Sequence, residues 1–298
     1  MRIRVAVACL MFALVGESRA DTPPFDLPET IGWRDVFEGI AVAELTLTQP
    51  RPLRVHLAKV DLLADGVSVV ANSDNGERPD EVDGCYTTTF LEQQACQIAI
   101  NGAPFGPGRA KEGETQDVSG LVVSHGVVVS PIEVPGEPDR AALVFRGPTA
   151  AIESPPIDLS GVSTAVGGFG VVLAQGKVVR DETTPEKVLD GVHPRSAFAL
   201  RRGGAELLLL VVDGRQPGYS EGVTLEELGK MIGLLGYEEG LNLDGGGTTS
   251  LAIANETGKA VLLNRPINDK QPGQQRVAAS HLGVFARSLP VESKPTSP

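Results

Sequence analysis

Between residues 33 and 287 the chain is a succession of short apolar runs closed by glycine, proline, asparagine or aspartate, with one well-signalled helix among them. Runs of roughly 4–8 residues bounded by turn formers read as strands, because a helix needs about 10 or more periodic positions. GIAVAELTLTQ, LRVHLAKVDLL and VSVVAN come first. QIAINGAPF, GLVVSHGVVVS, AALVFR, FGVVLAQGKVV and SAFALRR follow, and ELLLLVVDG, GLNLDGG, TSLAIA, KAVLLN and HLGVFA complete the set. LRVHLAKVDL alternates as a half-buried strand does. The 35 glycines and 22 prolines of 298 residues supply the turns.

The helix lies at residues 224–235, TLEELGKMIGLL. Thr224 and Glu227 have capping-box spacing, leucines recur on one face, and Gly236 supplies the stop. Thr89 and Glu92 repeat the spacing in a weaker segment ending at Cys96. The expected fold is α+β: a large mixed, strand-rich sheet with few helices and a site at a glycine-rich strand end.

The ends differ in character. MRIR, an apolar run from Val5 to Val15, and small residues at Ser18 and Ala20 make residues 1–20 a signal peptide cleaved after Ala20. The run is far short of the roughly 20 residues of a membrane span. Residues 21–32 form a proline-rich lead-in, 33–287 one domain, and 288–298 a disordered tail. The protein is thus expected to be periplasmic or secreted, without a membrane span. Loss of the signal takes basic residues from 26 to 23 and acidic ones from 38 to 37, moving the net charge from −12 to −14. So acidic a chain lacks the basic character of nucleic-acid binders. In an oxidising compartment Cys85 and Cys96 are expected to form a disulfide.

The chemistry concentrates in GLNLDGGGTTSL, residues 240–251. A strand delivers Asp244 onto Gly245, Gly246 and Gly247 and then Thr248. Consecutive glycines let a backbone approach a ligand and turn its N–H groups toward an anion; a plain turn is the competing reading. A second strand ends in VVDGR, with Asp213 and Arg215. If the two strands are parallel neighbours, both carboxylates emerge at the carboxyl edge, where α/β sheets bind ligands. Two Asx turns would explain them equally locally. GYSEG, residues 218–222, matches a nucleophile elbow in letters, but Pro217 separates it from the strand and no oxyanion loop lies upstream. Ser220 is read instead as lining the site or capping a turn. His56 and His125 read as structural, whereas His193 opens HPRSA beside Arg195. No HExxH, CxxC pair or EF-hand spacing occurs, so no metal or cofactor is expected; a divalent cation between Asp213 and Asp244 is the weaker alternative.

Taken in order, INGAPF (Asn101, Gly102), HPRSA (Arg195), VDGR (Asp213, Arg215), YSEG (Ser220), NLDGGGTTS (Asp244 to Thr248) and LNRP (Asn264, Arg265) resemble the phosphodiester glycosidase family over roughly residues 85–286. Ala103 and Pro104 depart from the family's more usual second glycine or bulky residue, and Ser196 stands where threonine is usual. The resemblance implies hydrolysis of the bond between a sugar's anomeric carbon and a phosphodiester oxygen, on a sugar-phosphodiester or cell-surface glycan. Asp244, Asp213 and Arg195 would be catalytic. Asn101, Gly102, Arg215, Ser220, Gly245, Gly246, Gly247, Thr248, Asn264 and Arg265 would bind substrate. A non-catalytic exported glycan-binding or exopolysaccharide-assembly protein on the same scaffold is the alternative.

Overall fold

A computed structural model describes residues 25–108, 110–132, 140–180 and 190–290; the expected signal peptide, residues 1–20, and residues 291–298 of the expected tail lie outside them. An eight-stranded sheet forms the centre. Its order is Arg34–Phe37, Ile40–Leu47, Leu53–Asp61, Glu206–Val212, Arg195–Arg201, Glu239–Asn242, Gly170–Ala174 and Lys177–Val178. Two five-stranded sheets cover one face. One runs Val127–Ser130, Val122–Ser124, Thr164–Gly167, Ala142–Arg146, Thr149–Glu153; the other runs Ala260–Leu262, Leu251–Ala254, Ile98–Asn101, His281–Phe285, Ser68–Ala71.

The LLLLVV run explains this layering. Leu207, Leu209 and Val211 point into the core shared with Ile98, Ile100, Val122, Leu143 and Val166. Leu208, Leu210 and Val212 point the other way, onto Leu228, Met231 and Ile232 of the helix Leu225–Leu234. A strand buried on both faces has no polar positions to alternate with, so its sequence is apolar throughout. The Thr224–Glu227 capping box forms, with Thr224 Oγ1 accepting the Glu227 N–H at 3.1 Å and Glu227 Oε2 accepting the Thr224 N–H at 2.9 Å. Part of the lead-in is anchored to this second core: Phe25, Leu27 and Ile31 pack against it, and Asp26 accepts from the Thr48 and Gln49 amides.

Three local readings change. The strands ending at Asp213 and Asp244 are not neighbours: Arg195–Arg201 lies between them, antiparallel to both. The second helix runs from Thr87 to Gln94 with Tyr86 at its N-cap and no side-chain cap. Glu92, placed one turn later than the sequence spacing requires, instead accepts the Ala260 N–H at 3.1 Å and pairs with Lys259. Cys85 and Cys96 are free and buried, not joined. The eight-residue helix between them spans about 12 Å at 1.5 Å per residue, well beyond the roughly 7 Å a disulfide tolerates between α-carbons. Both thiols belong to the same apolar cluster, and burial pushes each up to about 12.

Thiolates are the reactive form, so neither Cys85 nor Cys96 of the folded protein is expected to react with a maleimide or aromatic disulfide reagent at pH 8. Two equivalents are expected once a chain begun at Asp21, and so without Cys9, is unfolded without reductant. A single mass peak two protons light, with no reactive thiol, would restore the disulfide.

Candidate active site

The central three strands assemble the site. Glu206–Val212 and Glu239–Asn242 both run antiparallel to Arg195–Arg201 and therefore point the same way. Their ends release Asp213 and Asp244 at one edge of the sheet, where Arg195 begins the strand between them. The two aspartates then meet different surroundings.

Asp213 is sealed, at 1% exposure. Its Oδ1 accepts from Asn264 Nδ2 at 2.9 Å; its Oδ2 accepts from the Arg265 N–H at 3.0 Å and Tyr219 Oη at 3.3 Å, and lies 3.2 Å from His56 Nε2. These contacts leave no face for substrate. Asp213 ties the Asn264–Arg265 loop to the sheet edge and so positions Arg265. Ser220 is part of the same scaffold: its hydroxyl donates to the Asp213 carbonyl at 2.5 Å, accepts the Arg54 N–H at 3.0 Å, and is fully buried.

Asp244 is less enclosed, its side chain 15% exposed. Its Oδ2 accepts from Thr248 Oγ1 and from Arg276, both at 2.8 Å. Burial raises its pKa, against the lowering effects of Arg276, Thr248 and the Gly245 amide. The main chain beneath is fixed by Asn101, whose Nδ2 donates to the Asp244 carbonyl at 2.7 Å while its Oδ1 accepts from Ser196 Oγ and the Ser250 N–H. The Asp244 N–H donates to the Gly102 carbonyl at 3.0 Å. A β-carbon on Gly102 would lie 2.5 Å from Val166, so glycine is required by this close packing.

The three glycines have separate physical reasons. A β-carbon on Gly245 would strike the Pro194 carbonyl at 2.6 Å; on Gly246, at φ +68, it would meet Arg215 at 2.9 Å; on Gly247 it would crowd Asn268 and Arg276. Of the three amides, that of Gly246 donates to the Pro194 carbonyl at 3.1 Å. The triplet gives clearance to Pro194 and to the two arginines beside Asp244, Arg215 and Arg276. Thr248 locks the turn through Asp244, and Asn264 bonds Asp213, the Thr249 carbonyl and the Leu251 N–H.

The arginines divide by position. Arg215, Arg265 and Arg276 line a cavity of about 1030 Å³ together with Tyr219 and Gly247. Arg265 and Arg54 both stack on Tyr219, at 5.1 and 5.4 Å from its centroid. Arg195 is buried away from the cavity wall, with Nε and NH2 donating to the Val223 and Gly191 carbonyls at 3.2 and 2.9 Å; burial and then Arg215 lower it to about 10. The pKa of His193 is lowered by burial, then by Arg215 and Arg195. Arg276 escaped the sequence reading: a single arginine in GQQRVAAS carries no motif, and only folding returns it across 32 positions to Asp244. Tyr219 and His56 were likewise invisible as partners of Asp213.

The comparisons now decide the family. The phosphodiester glycosidase family model matches residues 94–285. The chain belongs to this family. No curated protein matches it in sequence. Among solved structures it is similar to the zebrafish N-acetylglucosamine-1-phosphodiester alpha-N-acetylglucosaminidase catalytic domain, described as auto-inhibited by its pro-peptide, at 20% identity and TM-score 0.62 over 89% of each chain. It is also similar to a hypothetical protein from Synechocystis, at 16% identity and TM-score 0.61, covering 88% of this chain and 64% of that one. A protein from Burkholderia pseudomallei matches at 13% identity and TM-score 0.54, over 78% and 74% of the two chains. At these identities the structural likenesses establish the fold.

Asp213→Ala strands the Arg265 N–H and Asn264 amide without their buried acceptor. It is expected to lower unfolding stability by about 3 kcal/mol, read from urea denaturation. A loss below about 1 kcal/mol would remove Asp213 as the anchor of this edge.

Proposed function

We propose that this protein hydrolyses the anomeric carbon–oxygen bond of a sugar-1-phosphodiester, releasing free sugar and a phosphomonoester. The observation that carries this reading is one partly exposed carboxylate, Asp244, paired with Arg276, which lines a cavity together with Arg215 and Arg265. Family membership supports the reaction class.

The chemistry suits such a leaving group. Ordinary glycosidases need one carboxyl group to protonate an alkoxide and a second on the opposite face. A phosphomonoester departs as a far weaker base, its second pKa being about 6. It requires charge stabilisation more than a proton, and guanidinium groups supply that in forked hydrogen bonds. We assign Arg215 and Arg265 to the phosphate. Arg276 orients Asp244 and opposes the effect of its burial. Arg195, held on loop carbonyls near Arg215, adds positive field and fixes the HPRSA turn. Asp244 acts at the anomeric carbon, taking a proton from the attacking water or forming a glycosyl ester that water opens. The carbon–oxygen bond breaks with its electron pair passing to the phosphate oxygen, and the water oxygen ends on the sugar. We read the chain as exported, periplasmic or secreted, on its basic start and short apolar run.

The alternative is a glycan-binding protein without turnover, favoured by the fact that Asp244 Oδ2 is already shared by Arg276 and Thr248. Hydrolysis of N-acetylglucosamine-phospho-mannose in ¹⁸O water separates the two. Label is expected on the freed sugar, with Asp244→Asn reducing kcat at least 100-fold and changing substrate affinity only a few-fold. Label on phosphate, or near-normal turnover by the variant, would overturn the assignment; binding without turnover by the unaltered protein would establish the alternative.

If ionised Asp244 is the working form, activity appears as pH rises through its pKa. The acid limb of kcat/KM is then expected above the roughly 3.9 of an ordinary aspartate. Because Arg276 lowers that pKa, Arg276→Gln is expected to move the limb to higher pH; an unmoved limb would detach it from Asp244.

A further inference from the structure

The cavity has more positive charge than one phosphodiester needs. Among its described lining residues, Lys111, Arg215, Arg265, Lys270 and Arg276 face a single carboxylate, Asp269. The chain as a whole carries −12, so this concentration opposes the protein's average. Arg276 is matched by Asp244. Among the described residues, no ion pair engages the other four. Lys270 is set on the wall by the two-residue turn Asp269–Lys270, both at positive φ, between the paired segments Ile267–Asn268 and Gln271–Pro272. Lys111 is contributed by a loop far away in sequence. Arg215 feels Asp244 directly, whereas the two lysines are exposed.

Size points the same way. At about 1030 Å³ the cavity reaches the upper end of the roughly 300–1,000 Å³ found for sites that hold a single small molecule. Resting on the reading above, the scissile phosphodiester brings one negative charge, which Arg215 and Arg265 meet. A neutral sugar on the far side of that phosphate would leave Lys111 and Lys270 without anionic counterparts. We propose that the substrate is a polyanionic sugar-phosphate polymer, whose phosphodiesters beyond the scissile one are held by Lys111 and Lys270. Clefts lined by one sign of charge raise the local concentration of an oppositely charged ligand, an effect that salt screens.

The test compares N-acetylglucosamine-phospho-mannose with a synthetic trimer of N-acetylglucosamine-1-phosphate repeats, by turnover and by calorimetric binding, in the unaltered chain and in Lys111→Gln/Lys270→Gln. The trimer is expected to have a kcat/KM at least tenfold higher at 50 mM salt, with most of the advantage lost at 500 mM. The double substitution is expected to lower trimer turnover and affinity at least fivefold more than those of the monomer. Equal handling of monomer and trimer, or equal loss on both, would overturn the proposal while leaving the hydrolase reading intact. Lysine-dependent trimer binding without turnover would uphold the polyanion subsite and defeat the hydrolase reading. No binding of either probe defeats both. Equal affinity for a single-stranded oligodeoxynucleotide of the same charge would overturn the sugar-phosphate assignment.

Discussion

The site depends on one strand. Arg195–Arg201 pairs antiparallel with Glu206–Val212 on one side and Glu239–Asn242 on the other, in continuous register. That pairing makes its two neighbours co-directional, so the residues that follow them leave the sheet at one edge. Backbone hydrogen bonding thereby places Asp213, Arg195 and Asp244 together although each comes from a different part of the chain. The apolar faces of all three strands bury this ladder between two cores, which makes the edge rigid.

On that edge identical side chains take opposite roles. Asp213 is saturated by donors from Asn264, Arg265 and Tyr219 and faces no cavity. Asp244 shares one oxygen with Arg276 and Thr248 and stays partly exposed. Asp213 is a carboxylate surrounded by donors, whereas Asp244 is partly desolvated, with a raised pKa and cations nearby, and it is on this contrast that the role proposed for Asp244 rests. The arginines divide in the same manner, Arg195 spent on loop carbonyls and Arg215 and Arg265 on the cavity wall.

Much of the architecture was legible from the chain because it follows local rules. The alternation in Leu53–Asp61, the unbroken apolar run of Glu206–Val212 and the Thr224–Glu227 box each carry their own signal. The Thr89–Glu92 spacing misled because Glu92 finds Ala260 and Lys259 instead. The cysteine pair misled because spacing in sequence ignores the helix that separates them.

The sequence by itself determined the strand-rich class, the glycine-lined turn at Asp244 and the family, since these rest on short-range patterns and contiguous motifs. Tertiary structure alone decided which aspartate is sealed and which is open, which arginines reach the cavity, and that Arg276 closes on Asp244. It also decided that the glycines give clearance to Pro194, Arg215 and Arg276. The reason is physical: burial, ion pairing and steric clearance depend on distances between residues far apart along the chain, and no local pattern encodes those distances.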